Sequence, residues 1–341
     1  AAAAVARGGV AATTVTTGRR SSAICTTGRH AAPRARFGAT IPAMHAPPLP
    51  AWIERRLPPG HQRQLIDVGG VRMHVMIWDG HGPTVVLLHG NPTWGFLWRK
   101  VVAELAGAGL RIVVPDLVGL GLSDKPHAAA AHQLSAHATW VGRLLDVVAP
   151  GPLCFAGQDW GGPIGLAALA DRAARLRGLV LANTVIGPPR PGFRPTAFHR
   201  LARLPVIAPA LFRGLAFPLP VLHLAQGDRH SIRGLTALAY AWPLRHLRDR
   251  VAPLALAQMV PDGPDHVSIA ALNRAHACAL GFRGPVELVW GTRDPVLGSV
   301  IRHLERELPA AHVTRTDAGH FLQEEVPAEL AAAIRRVAFA T

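Results

Sequence analysis

Three residues of this chain have the types and the setting for a two-stage displacement at carbon. Asp159 stands in Gly157-Gln158-Asp159-Trp160-Gly161, after the apolar run that opens at Leu153 and before a helix-like pattern. The spacing predicts a strand, a sharp turn and a helix, with glycines on both sides relieving the crowding around a strained, exposed turn residue. A carboxylate at the N-terminus of a helix is kept ionised by the dipole and the free backbone N–H groups, so Asp159 can attack carbon without a base to deprotonate it first. The product of that attack is an ester. Cleaving it takes a base that activates water and a second carboxylate that orients the base. His320, in Asp317-Ala318-Gly319-His320-Phe321, and Asp294, in Gly291-Thr292-Arg293-Asp294-Pro295, each follow a predicted late strand and supply these two groups.

The elements that must hold them follow in order. From Arg63, RQLIDVGGVRMHVMIWDG alternates apolar and polar residues around Gly69-Gly70, as an antiparallel hairpin does. Residues 83–89, PTVVLLH, form a short continuous apolar run suited to a strand buried on both faces, and the run stops at Gly90-Asn91-Pro92. A helix is predicted over 94–108, a strand over 111–117, then the glycine-rich loop VGLGLSDKP and an amphipathic helix over 135–148. The elbow is followed by a helix over 163–174 and a strand over 178–185. Beyond Val185 the alternation stops: residues 187–282 are rich in Pro, Leu, Ala and Arg, with helical stretches at 196–203 and 231–240 and no convincing strand. A strand at 285–290, a helix near 300–308, a strand at 312–316 and a helix from 328 close the chain. The reading is an α/β core in two parts, 46–186 and 283–341, with a helical cap inserted at 187–282.

Residues 1–45 are Ala, Thr, Ser, Gly and Arg without periodicity, expected to be a disordered or loosely attached tail. They resemble a transit peptide in being Arg-rich and acid-free but lack its amphipathic pattern, and Met44 stands where a shorter reading frame could begin, so a start-site artefact or a nonfunctional tail is expected over targeting. Six arginines of this stretch belong to the formal charge of +15, leaving about +9 for the rest. The other basic residues are scattered among Asp and Glu, with no basic run and no aromatic platform, which argues against a nucleic-acid partner. Cys25, Cys154 and Cys278 are odd in number and far apart, which suits a reducing compartment, the cytoplasm, and not a disulfide framework. No apolar run reaches the ~18 to 20 residues needed to span a bilayer, so a soluble protein without a membrane partner is expected. His127, His132 and His137 are five apart, which rotates them around a helix, and they are assigned no metal.

Several strings then point one way: His89-Gly90-Asn91-Pro92-Thr93-Trp94 with Leu97-Trp98-Arg99, Pro115-Asp116-Leu117 through Gly121-Leu122-Ser123-Asp124-Lys125-Pro126, the elbow Gln158-Asp159-Trp160-Gly161-Gly162, GTRDP at 291–295 and GHFLQEEVP at 319–327. In these, and in the order nucleophile, acid, base, the chain from about residue 60 onward resembles the haloalkane dehalogenases of the α/β-hydrolase superfamily. The resemblance implies the α/β-hydrolase fold, a mostly parallel sheet flanked by helices. It also implies Asp159 as nucleophile, His320 as base, Asp294 as acid, and Asn91 with Trp160 as halide-binding donors. Asn183-Thr184-Val185 carries no carboxylate at the alternative acid position of one branch, so the pattern is similar to the third subfamily.

The implied reaction is hydrolytic dehalogenation of a small hydrophobic halide by water, giving an alcohol and a halide ion with no cofactor. Charge that builds on the departing halogen is met by the Trp160 indole N–H and the Asn91 amide, and the later oxyanion by the backbone N–H groups of Asn91 and Trp160. Asn91 is equally a residue type suited to a turn before Pro92, and Trp160 to packing. The cap is expected to close an apolar pocket lined by Phe198, Phe212, Phe217, Leu224 and Trp242. Alternatives within the fold are an epoxide hydrolase, whose cap tyrosines protonate the departing alkoxide and of which this chain offers only Tyr240, a luciferase-like oxygenase, and a binding protein without chemistry.

Overall fold

Glycines and apolar runs set the frame. The computed structural model describes residues 44–190 and 192–340. Nine strands form one sheet: β1 (Met44–His45), β2 (His61–Asp67), β3 (Arg72–Trp78), β4 (Thr84–Leu88), β5 (Arg111–Pro115), β6 (Leu153–Asp159), β7 (Leu176–Thr184), β8 (Val286–Gly291) and β9 (His312–Thr316). Their order is β1-β2-β3-β5-β4-β6-β7-β8-β9. The predicted hairpin is β2–β3, paired from His61–Trp78 to Asp67–Arg72, and its turn uses Gly69 and Gly70 at positive φ. The pairs from β1 to β5 are antiparallel, and every pair from β5 across to β9 is parallel. Met44 and His45, assigned from sequence to the tail, pair with Leu65 and Gln64 as an edge strand, so the sheet begins two residues before the predicted boundary. The rest of the predicted tail lies outside the described residues.

β4 and β6 are covered on both faces. Val85, Val86, Leu87 and Leu88 are all buried, each contributing roughly 1.5–3 kcal/mol relative to exposure. The predicted helix at 94–108 forms as a 3-10 turn, Gly95–Trp98, continued by an α-helix, Arg99–Glu104.

The elbow helix, Gly161–Leu169, is buried all round, as its composition of Gly, Pro, Ile, Leu and Ala demands. Helices Leu134–Val148 and Ile269–Gly281 cover it. The second of these was grouped with the cap by sequence; it packs as part of the layer flanking the sheet, because its small buried residues Ala271, Ala275 and Ala279 let it approach closely. Between β7 and β8 the described residues form short helices, among them Ala197–Leu201 and Gly234–Ala241, and no strand. Among the described residues no single helix is long and apolar enough to cross a membrane.

Candidate active site

Asp159 ends β6 with φ of +50°, a left-handed conformation that costs a non-glycine residue about 1 kcal/mol or more and is held by its neighbours. The Thr184 hydroxyl donates to the Asp159 carbonyl at 2.6 Å. Gly161 lies so close to β4 that a Cβ there would meet the Leu88 carbonyl oxygen at 2.3 Å, which explains the glycine after Trp160. Gly90 is fixed by the same logic, since a Cβ would stand 2.2 Å from Oδ1 of Asp159. With that space open, the backbone N–H of Asn91 donates to Oδ1 of Asp159 at 2.8 Å.

The other oxygen of Asp159, Oδ2, lies 3.5 Å from Nε2 of His320. Nδ1 of His320 faces Oδ2 of Asp294 at 2.8 Å. The three predicted residues are therefore brought together, Asp159 with His320 across 161 residues of sequence and His320 with Asp294 across 26. Burial opposes the charged imidazolium, but the Asp294 carboxylate and the hydrogen bonds to Asp159 and Asp294 outweigh it and push the His320 pKa up to about 10. Burial likewise opposes ionisation of Asp294, yet the His320 charge and hydrogen bond and the N–H groups of Leu297 and Val296 hold its carboxyl below the usual range.

Several partners of this group stand in the quoted motifs without a role that the sequence could assign. Asn183, at φ of +35° and fully buried, donates from its amide to Oδ2 of Asp294 at 2.8 Å and to the Gly319 carbonyl at 3.0 Å, and accepts the Gly291 N–H at 2.8 Å. Gln158 donates to the His320 carbonyl at 3.1 Å. The His320 N–H donates to the Ala225 carbonyl at 2.8 Å, joining the inserted segment to the histidine loop. His89 accepts the Leu117 N–H on Nε2 at 2.9 Å, so its proton sits on Nδ1 and goes to the Gly90 carbonyl at 2.8 Å, fixing the loop that carries Asn91.

Asp159 and His320 open onto a cavity of about 220 Å³ lined also by Asn91, Trp160, Phe198, His199, Phe217 and Leu224. Of the five predicted lining residues, Phe212 and Trp242 do not line it. Phe212 is fully buried, edge-on to Phe217 at 5.2 Å, in a satellite core with Ala202, Ala208 and Ala257. Trp242 is half-buried against the main core and covered by Arg245, whose guanidinium lies 4.2 Å from the ring centroid. The Asn91 side chain also departs from a free donor: its amide nitrogen donates to the Pro253 carbonyl at 3.0 Å, leaving one of its two hydrogens for a guest. The Tyr240 hydroxyl is not at the cavity; it is buried and donates to Oε1 of Glu324 at 2.5 Å. His132 and His137 stack on each other at 5.5 Å, while His127 stands apart near Asp249 at 3.9 Å.

Residues 83–327 match a family model described as alpha/beta hydrolase fold. Over 276 residues the chain is 36% identical to a haloalkane dehalogenase of Mycobacterium marinum, covering 78% of this chain and 88% of that protein. The chain belongs to the haloalkane dehalogenase family. A second relative, haloalkane dehalogenase 1 of Mycobacterium tuberculosis, is 35% identical over 255 residues, covering 73% of this family member and 81% of the relative. Crystal structures of two haloalkane dehalogenases share the fold: DatA from Agrobacterium tumefaciens, TM-score 0.72 at 23% identity over 83% of this chain and 99% of that one, and DbeA from Bradyrhizobium elkanii, TM-score 0.70 at 24% identity over 82% of this chain and 100% of that one.

Proposed function

We propose that this haloalkane dehalogenase family member hydrolyses the carbon–halogen bond of small hydrophobic haloalkanes through an alkyl ester on Asp159. The observation that carries the reading is the division of labour at one carboxylate. One oxygen of Asp159 accepts the Asn91 N–H at 2.8 Å, the other lies 3.5 Å from Nε2 of His320, and both belong to a small, mostly apolar cavity. The relatives at 35–36% identity carry the name haloalkane dehalogenase, and this chain aligns with more than four-fifths of their length.

In the first half-reaction Asp159 displaces halide from an sp³ carbon. The Trp160 indole N–H and the remaining Asn91 amide hydrogen receive the charge on the halogen, and hydrogen bonds to a charged acceptor are worth about 1.5–3 kcal/mol each. In the second, His320 takes a proton from water, which attacks the Asp159 carbonyl carbon. The oxyanion is held by the backbone N–H groups of Asn91 and Trp160, and collapse expels the alcohol and restores the carboxylate. Substrate and water give alcohol, halide and a proton, so the chemistry calls for no cofactor.

The charges around His320 support a reading of its timing. With both carboxylates ionised its pKa is pushed up to about 10, so it carries a proton near neutral pH while Asp159 attacks. Esterification removes the charge of Asp159, lowers the His320 pKa and frees a neutral imidazole when water must be deprotonated. Asp294 is the orienting acid. The buried thiols Cys154 and Cys278, both free, fit a reducing compartment such as the cytoplasm.

The test is bromide release from a panel of bromoalkanes, with mass spectrometry of His320→Ala. Bromide appears with the wild type, and His320→Ala accumulates an alkyl increment on the peptide holding Asp159. Diol formation from epoxides with no bromide from any bromoalkane overturns the reading, as does an unmodified Asp159 after prolonged incubation of a folded His320→Ala with a reactive bromide.

A further inference from the structure

Three titratable side chains line the cavity: Asp159, His320 and His199. The first two face each other. The third comes from the inserted segment, on the helix Ala197–Leu201, and is only 9% exposed. Its Nδ1 lies 2.8 Å from Oγ1 of Thr196, its one hydrogen-bond partner among the described residues. Burial, opposed by the Asp159 charge, pushes its pKa down to about 4, so the ring is neutral, with one N–H and one lone pair. Around it the wall is apolar: Phe198, Phe217, Val221, Leu222.

Nε2 of His199 has no hydrogen-bond partner among the described residues and is not sealed from solvent, so it is penalised only when a guest excludes water from it. A plain alkyl chain closing the cavity imposes that penalty; a hydroxyl relieves it. The Thr196 hydroxyl either donates to Nδ1 or accepts from it, leaving Nε2 as a donor or an acceptor. A hydroxyl on the guest suits both cases, which an ether or an ammonium does not. We infer that His199 selects halogenated alcohols, substrates with a hydroxyl a few carbons from the carbon–halogen bond, over plain haloalkanes of the same length. This rests on the dehalogenase reading for its chemistry, but on the cavity alone for its preference. A site with a buried hydrogen-bonding group discriminates against guests that lack the matching group far more sharply than an apolar pocket discriminates by size.

The experiment compares 1-bromobutane with 4-bromo-1-butanol and 1-bromohexane with 6-bromo-1-hexanol, in the wild type, His199→Leu and His199→Gln. The ratio of kcat/KM for bromoalkanol to that for bromoalkane falls at least about tenfold in His199→Leu and is largely kept in His199→Gln, whose amide restores a hydrogen bond. A ratio moved less than twofold in His199→Leu overturns the inference. Binding of 1,6-hexanediol against 1-hexanol, read by quenching of tryptophan fluorescence, gives an arm that needs no chemistry. Diol preference in the wild type, lost in His199→Leu, sustains the inference even if no bromide is released, and only the dehalogenase reading then falls. Bromide release with no diol preference sinks the inference and spares the reading.

Discussion

The side-chain amide of Asn183 donates to Oδ2 of Asp294 at 2.8 Å, the same oxygen that faces Nδ1 of His320 at 2.8 Å. Asn183 thus fixes where the acid presents its charge. Removing a donor from a buried carboxylate costs about 1–3 kcal/mol, which is roughly ten- to hundredfold in a rate that depends on it. Asn183→Ala is expected to slow hydrolysis of the ester by that factor while the first burst of halide survives. Rapid-quench measurement of burst and steady-state bromide separates the two, and equal loss of both would show that the whole site has collapsed.

Stability should depend on His320 over a defined pH window. Its pKa in the folded chain, about 10, lies above the unfolded value of 6.5. A group held protonated by folding adds stability that is fully present below pH 6.5 and is lost as the pH rises toward 10. The Tm of the wild type is expected to fall between those pH values, and that of His320→Gln to fall less. Parallel curves would mean that the histidine is not held protonated.

Gly90→Ala tests the approach of the two loops. The added methyl would stand 2.2 Å from Oδ1 of Asp159, so either the carboxylate or the Asn91 N–H must move. A displacement of about 1 Å at a reacting group costs on the order of a hundredfold in rate. Bromide release should drop at least that far with little change in far-ultraviolet circular dichroism.

Tyr240→Phe separates latch from catalyst. Its hydroxyl donates to Glu324, which also binds Arg99 through Nη1 at 2.5 Å and Nη2 at 2.8 Å. Loss of a hydrogen bond to a charged group lowers stability by about 1.5–3 kcal/mol. Urea unfolding should show this, with bromide release kept within a few fold. An enzyme that used Tyr240 to protonate an alkoxide would instead lose turnover.

What was legible in the sequence is what local chemistry dictates. The runs that became β4, β6 and β9 are apolar or alternating over a few residues, and the elbow announces itself through glycines that two backbones require. His320 and Asp294 could be singled out because each follows a strand end, whereas Asn91 was singled out only through the family resemblance. Phe212 and Trp242 could not be placed, since nothing in a short cap helix says which aromatic face meets the cavity and which meets Phe217 or Arg245. Asn183 escaped for a related reason: its partners Gly291 and Asp294 are 108 and 111 residues away, and Ala-Asn-Thr-Val carries no sign of them. The helix Ile269–Gly281 falls within the predicted cap range because its alanines read as cap composition, and only its packing on the elbow helix sets it beside the sheet.

The bond from the His320 amide to the Ala225 carbonyl ties the roof of the chamber to the loop that carries the imidazole beneath it. Swinging that roof aside would disarm the imidazole in the same motion. Passage in and out of the chamber then falls to the side chains that line it, such as the half-exposed Leu224, and not to a shift of that segment.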